Sequence, residues 1–246
     1  MGDSEPNSTS RAGRPGEHEP HLRPWVYHSA CLLAAAFSSM LLGFEIRGRE
    51  RVPKTGSLLV VANHQSFLDP PCIGHRFPRY VTFLARASLF NNPVFGWLIR
   101  SMNSLPIKDG EGDVRAIRVV LDRLSKDECV LIFPEGARSF DGLKQPFREG
   151  AALIARRAKC AVLPVAIEGA FDAWPRTRKL PSLFRGHAVQ VEIGDPIPAS
   201  ELTNAREITS RLEREVLALR SQAAARLRER TGGRRPIVAE DTAPGS

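Results

Sequence analysis

The sequence predicts an α/β fold, a mostly parallel central sheet flanked by helices. Short β-rich apolar runs recur at residues 57–62, 80–86, 129–133 and 162–169. Segments with helical periodicity alternate with them, the pattern left by crossovers between parallel strands. Several runs also turn polar or charged at once, as strands do at the carboxyl edge of an open sheet, where reactive crevices form. With 246 residues the chain has room for one domain with a sizeable core.

Residues 1–21 are rich in Ser, Gly, Pro and charge and read as a disordered tail. Residues 22–46 carry an apolar run from Trp25 to Phe44 and read as a membrane-contacting helical segment. The run is long enough to cross a bilayer. His28 and three serines dilute it, so a helix lying in the interface and a helix of the core stay open. It begins too far along the chain for a cleaved signal peptide. Arg47, Arg49, Arg51 and Lys54 follow it, a bias that places the next domain on the cytoplasmic side.

Residues 47–230 form that domain. Residues 57–62 are a buried strand. The chain turns polar within two residues, and Asp69-Pro70-Pro71 suits the start of a helix. Residues 80–86 are a strand, and 94–100 a helix rich in Phe, Trp and Leu that suits either core or a lipid-facing surface. Residues 105–109 end a further strand. A polar loop at 109–113 then leads to a helix at 114–124, with Ile117, Val120, Leu121 and Leu124 on one face. The strand at 129–133 is followed by a turn and a helix at 151–158. The strand at 162–169 carries its own proline and is followed by a basic stretch with Arg176, Arg178, Lys179 and Arg185. Residues 189–193 alternate like a strand. A charged helix over 201–230 has an apolar stripe at Ile208, Leu212, Val216 and Leu219. Residues 231–246 are again a Gly/Pro-bearing tail.

The net charge of +8 and pI near 9.8 suit an anionic membrane surface or a phosphorylated substrate. Nucleic acid fits poorly: its motifs are missing and aromatics are sparse among the basic clusters. Cys31, Cys72, Cys129 and Cys160 have neither metal-ligand nor redox spacing and read as buried thiols of a reducing compartment.

His64 stands at the carboxyl end of the first strand, with Asp69 five residues on. That spacing does not match one face of a helix. It suits a loop that folds back until the carboxylate meets the far nitrogen of the imidazole. A satisfied loop histidine beside a helix cap would read the same way. Glu135 and Arg138 emerge together from the next strand and would either face a ligand or pair with each other.

Three blocks in fixed order narrow this. Asn63 to Asp69 matches Asn-His-x-Ser-x-x-Asp, Phe133 to Ser139 matches Phe-Pro-Glu-Gly-x-Arg-Ser, and Leu163 to Val165 matches an apolar block centred on proline. Over residues 42–198 the chain resembles the glycerolipid acyltransferase family, of the lysophosphatidate acyltransferase type. The resemblance implies transfer of a fatty acyl group from a thioester, acyl-CoA or acyl-carrier protein, to the sn-2 hydroxyl of 1-acyl-glycerol-3-phosphate, giving phosphatidate. His64 would be the general base, its ordinary pKa being near neutrality, and Asp69 would orient it. The attacking hydroxyl belongs to the acceptor, so Ser66 is a loop hydrogen-bonding residue and not a nucleophile. Arg138 would grip the phosphate. Glu135 would accept from the glycerol hydroxyls, and amides at the helix start or near Gly136 would meet the oxyanion. Asn63, Ser66, Pro134 and Pro164 would support the motifs.

One position departs from the family pattern. Where a Gly-x-Ile-x-x-x-Arg block supplies a phosphate-binding arginine, this chain has Asn103 and Asp109. Either Lys108 takes over or the acceptor differs, as another lysolipid or a hydroxylated lipid. Arg176, Arg178 and Lys179 would meet CoA phosphates or anionic lipid heads, or simply be solvated. The resemblance implies no cofactor and no metal, and membrane lipid, a lysophospholipid acceptor and the acyl donor as partners. A non-catalytic membrane lipid-binding protein is the competing class, though it would have no use for the His64/Asp69 pair. Metal-dependent hydrolysis lacks further ligands at suitable spacing.

Overall fold

The computed structural model describes residues 43–107, 112–182 and 186–236, together with Ser29. Seven strands form one sheet: β1 (Glu45–Arg47), β2 (Leu58–Ala62), β3 (Val81–Arg86), β4 (Ser104–Ile107), β5 (Cys129–Ile132), β6 (Ala161–Glu168) and β7 (Gln190–Ile193). Their order is β1-β7-β6-β2-β5-β3-β4. The five strands from β6 to β4 are parallel; β7 runs antiparallel to β6, and β1 pairs parallel with β7.

The apolar runs are continuous because β2 is covered on both faces. Leu58, Val60 and Ala62 face one core with Cys72 and Ile73 of α1 (Asp69–Gly74) and with Ala170 and Ala173 of α5 (Ala170–Ala173). Leu59 and Val61 face a second core. That core is closed by α3 (Gly112–Leu124), α4 (Gly150–Ala158) and α6 (Ala205–Thr231). The stripe read at Ile208, Leu212, Val216 and Leu219 is the face that α6 buries there. Pro164 sits inside β6 at little cost. Its carbonyl accepts from Gly194 N just past the end of β7, so the missing N–H falls where that ladder has already ended.

Several boundaries shift. Glu45, expected in the membrane-contacting segment 22–46, opens β1, and Phe44 beside it is 7% exposed and belongs to the first core. Residues 22–42 lie outside the described residues apart from Ser29, as does the tail 1–21. Among the described residues no helix is long and apolar enough to cross a membrane. The last helix starts at Ala205 and not at residue 201, because Asn204 caps it by accepting from Glu207 N at 2.9 Å. Past Thr231 the chain stays tied for a few residues: Arg235 pairs with Asp172 at 3.2 Å.

Helix α2 (Pro93–Ser101), read as core or lipid-facing, buries only Gly96 and Ser101. Val94 and Trp97 are 76% and 63% exposed, with Phe95 and Leu98 exposed beside them.

Cys72, Cys129 and Cys160 are buried free thiols. Burial pushes Cys72 upward and raises Cys129 to about 12 and Cys160 to about 11, so none is a thiolate near neutral pH. Cys31 lies outside the described residues.

Candidate active site

At the carboxyl end of β2 the chain leaves the sheet through Asn63. Its side chain continues the ladder, donating to Ile167 O and accepting from Ile167 N, both at 2.9 Å. An amide mimics a peptide unit here, so the loop starts from a fixed direction.

The loop closes on Asp69, the first residue of α1. Its Oδ2 accepts from the amides of Gln65 at 2.6 Å and Ser66 at 2.7 Å, and lies 2.8 Å from His64 Nδ1. Asp69 is fully buried. The loop reading of the five-residue spacing is therefore correct in geometry. Ser66 is a loop hydrogen-bonding residue, as expected: its Oγ donates to Trp174 O at 2.7 Å and accepts from Leu68 N at 3.1 Å.

His64 is fixed from two further sides. Its ring stacks on Phe133, with centroids 3.9 Å apart and planes 12° from parallel. Its backbone N donates to Glu135 Oε1 at 2.8 Å, and its carbonyl accepts from Ser139 N at 2.9 Å. With Nδ1 engaged by Asp69, Nε2 has no protein partner among the described residues. The side chain keeps 17% of its surface exposed, which leaves that nitrogen open to a ligand.

Glu135 holds the loop that carries His64, its first oxygen accepting from His64 N. It is buried, its second oxygen accepts from Gln145 N at 3.3 Å, and its carboxylate spans two loops as a brace. Burial raises it to about 7. It makes no ion pair with Arg138. Gly136 shapes the turn that follows. Its φ is +76°, its N–H donates to Phe133 O at 3.1 Å, and an added Cβ would fall 2.9 Å from Arg148 Cζ. The amides of Gln65, Ser66, Leu68 and Gly136 each donate to an acceptor within the protein. Pro134 is buried and its carbonyl accepts from Arg148 N at 3.0 Å.

Arg138 lies with Cζ 3.4 Å from the centroid of the Phe67 ring, and its buried Nη1 has no hydrogen-bond acceptor. Burial, then the neighbouring Arg176 and Arg86 charges, lowers it to about 10. Arg176 stacks on Phe140 at 4.1 Å and donates to Arg138 O at 3.4 Å. Lys108 and Asp109 lie outside the described residues, as does Arg185.

Sequence reasoning missed a buried relay behind the loop. Gln65 Nε2 donates to both oxygens of Glu168, at 3.1 and 3.2 Å. Glu168 in turn pairs with Arg220 of α6 at 2.6 Å, and Arg220 donates to Gly142 O at 2.7 Å. The one clue was a carboxylate ending the strand at 162–169; its partner lies 52 residues on, in a helix that reads as packing alone.

A family model described as Acyltransferase matches residues 43–168. The chain is 31% identical over 189 residues to the chloroplastic 1-acyl-sn-glycerol-3-phosphate acyltransferase of Arabidopsis thaliana, over 74% of this chain and 51% of that protein. It is 32% identical over 200 residues to the lyso-ornithine lipid O-acyltransferase of Pseudomonas aeruginosa, over 76% of this chain and 72% of that one. The chain spans about half the length of the first curated relatives it matches. The crystal structure of the 1-acyl-sn-glycerophosphate acyltransferase PlsC of Thermotoga maritima superposes with a TM-score of 0.69 at 27% identity, over 86% of this chain and 82% of that one.

Proposed function

The chain belongs to the acyltransferase family, and on that premise we propose that it moves a fatty acyl group from a thioester to the sn-2 hydroxyl of 1-acyl-glycerol-3-phosphate, giving phosphatidate. One observation carries the chemistry: His64 Nδ1 lies 2.8 Å from an Asp69 carboxylate that two backbone amides lock in place. A hydroxyl is a poor nucleophile at neutral pH, so its proton must leave as attack proceeds. His64 Nε2 takes that proton while the acceptor oxygen bonds to the thioester carbonyl carbon. Asp69 holds the tautomer and stabilises the imidazolium. When the tetrahedral intermediate collapses, the C–S bond breaks and the imidazolium returns its proton to the thiolate. No acyl-enzyme forms. The thioester is acyl-CoA or acyl-carrier protein.

The acceptor reading draws on the relatives that act on 1-acyl-sn-glycerol-3-phosphate and on the Arg138 guanidinium, which has an open, buried N–H. A second reading keeps the chemistry and changes the acceptor to another lysolipid. The lyso-ornithine relative and Asp109 at the departing position favour it. The enzyme works at a membrane surface, with this domain on the cytoplasmic side. The exposed apolar side chains of α2 and the net charge of +8 support contact with anionic lipid.

The test is acyl transfer by the purified full chain in detergent, wild type beside His64→Ala. Labelled acyl-CoA and acyl-carrier protein are offered with 1-acyl-glycerol-3-phosphate and, separately, with lysolipids bearing other heads. Phosphatidate from wild type, with the rate lowered at least about 10²-fold in the variant, is expected. Transfer only to another head group would replace the acceptor and keep the base. Equal rates in both proteins would remove His64 from the mechanism.

A further inference from the structure

We infer that Arg176 joins Arg138 in a two-arginine clamp for the phosphate of the acyl acceptor. This rests on the acyltransferase reading and adds to it a residue outside the three sequence motifs.

Each guanidinium lies against an aromatic face, Arg138 on Phe67 at 3.4 Å and Arg176 on Phe140 at 4.1 Å. Stacking uses the face of the guanidinium and leaves its N–H edge for planar, bidentate contact with an oxyanion. Among the described residues, no carboxylate pairs with either arginine. Arg176 spends a single N–H on the protein, toward Arg138 O at 3.4 Å. Arg138 Nη1 is buried and has no acceptor. A buried charged donor left without an acceptor is costly, and two adjacent cations add repulsion. Burial, then the Arg176 and Arg86 charges, lowers Arg138 to about 10. A phosphate dianion between the two side chains would relieve the open donor and the repulsion together.

The clamp is mechanically tied to the base. Phe67, which carries Arg138, belongs to the same loop as His64. Arg176 follows Trp174 and Pro175, and this segment is held by the Ser66–Pro175 bridge and by Ser66 Oγ donating to Trp174 O at 2.7 Å. Ser66 therefore fixes the spacing between the arginine pair and the loop that carries His64. A glycerol phosphate has its reacting hydroxyl at a fixed distance from its phosphate, so such a link would place the hydroxyl in register with the base.

The anion could instead come from the phosphates of the acyl donor, and kinetics separate the two. In Arg176→Met the KM for 1-acyl-glycerol-3-phosphate is expected to rise about 10-fold or more, the worth of one charge-assisted contact. Its kcat should stay within about threefold and the KM for acyl-CoA should not change. Arg176→Lys should recover part of the loss. Binding of 1-acyl-glycerol-3-phosphate to His64→Ala, with and without Arg176→Met, reads the clamp without turnover, so it stands even if wild type proves to acylate another lipid. Unchanged acceptor KM and affinity, or a rise confined to the KM for acyl-CoA, would overturn the inference.

Discussion

At Asp69 a single carboxylate oxygen serves three nitrogens: the His64 ring and the amides of Gln65 and Ser66. In the proposed mechanism the residue is at once the orienter of the base and the pin of its loop, and two substitutions separate these parts. Asp69→Asn can keep an acceptor oxygen in the same place but loses the charge, so kcat should fall about 10²–10⁴-fold while the fold is largely kept. Asp69→Ala strands two buried amides and should also destabilise by about 2–6 kcal/mol, read by urea unfolding. Glu135 offers a pH test. Burial raises it to about 7, so the folded protein prefers its protonated form. That preference contributes stability in full below about pH 4.5 and loses it as pH rises through about 7. Against Glu135→Gln, wild type should therefore lose up to about 3 kcal/mol of stability between pH 5 and pH 8. A constant difference across that range would show that Glu135 does not titrate there.

Among the elements, α6 does more than close the second core. Through Arg220 it holds Glu168 at the end of β6, and through Glu168 it holds Gln65 beside His64. Burial raises Glu168, against the opposing pull of Arg220 and of the hydrogen bonds it accepts. The pair is a liability if broken, because a lone carboxylate would remain in the interior. Arg220→Leu should cost about 3–5 kcal/mol by denaturant unfolding, and exchanging both Glu168 and Arg220 for apolar residues should cost less. Gly169, next in the chain, is equally constrained. Its φ is +85° and an added Cβ would lie 2.1 Å from Ala188 O, so the chain can leave β6 there only through glycine.

For the whole molecule, α2 presents Val94, Trp97 and Leu98 to solvent, with Arg100 in its last turn. It is packed against the sheet edge at β4. Apolar side chains beside a cation, on a protein of net charge +8, fit an anionic bilayer surface. Trp97→Ser should weaken co-sedimentation with vesicles of mixed phosphatidylcholine and phosphatidylglycerol several-fold, and leave the unfolding midpoint nearly unchanged because the side chain is 63% exposed. Equal sedimentation would take the bilayer contact away from this face. The sequence alone determined the fold class, most of the strands and the His64–Asp69 loop. These follow from local information: apolar run length, the switch from apolar to polar at a strand end, and the spacing of two side chains in one short loop. Only the tertiary structure decided which carboxylates and arginines are partners. It set Glu135 as a brace, brought Arg220 to Glu168 across 52 residues, moved Phe44 into the core, and placed Arg176 beside Arg138, with no carboxylate paired to either among the described residues. Those outcomes depend on which loops converge at the carboxyl edge of the sheet. That convergence is fixed by strand order and packing, which no local pattern of residues contains.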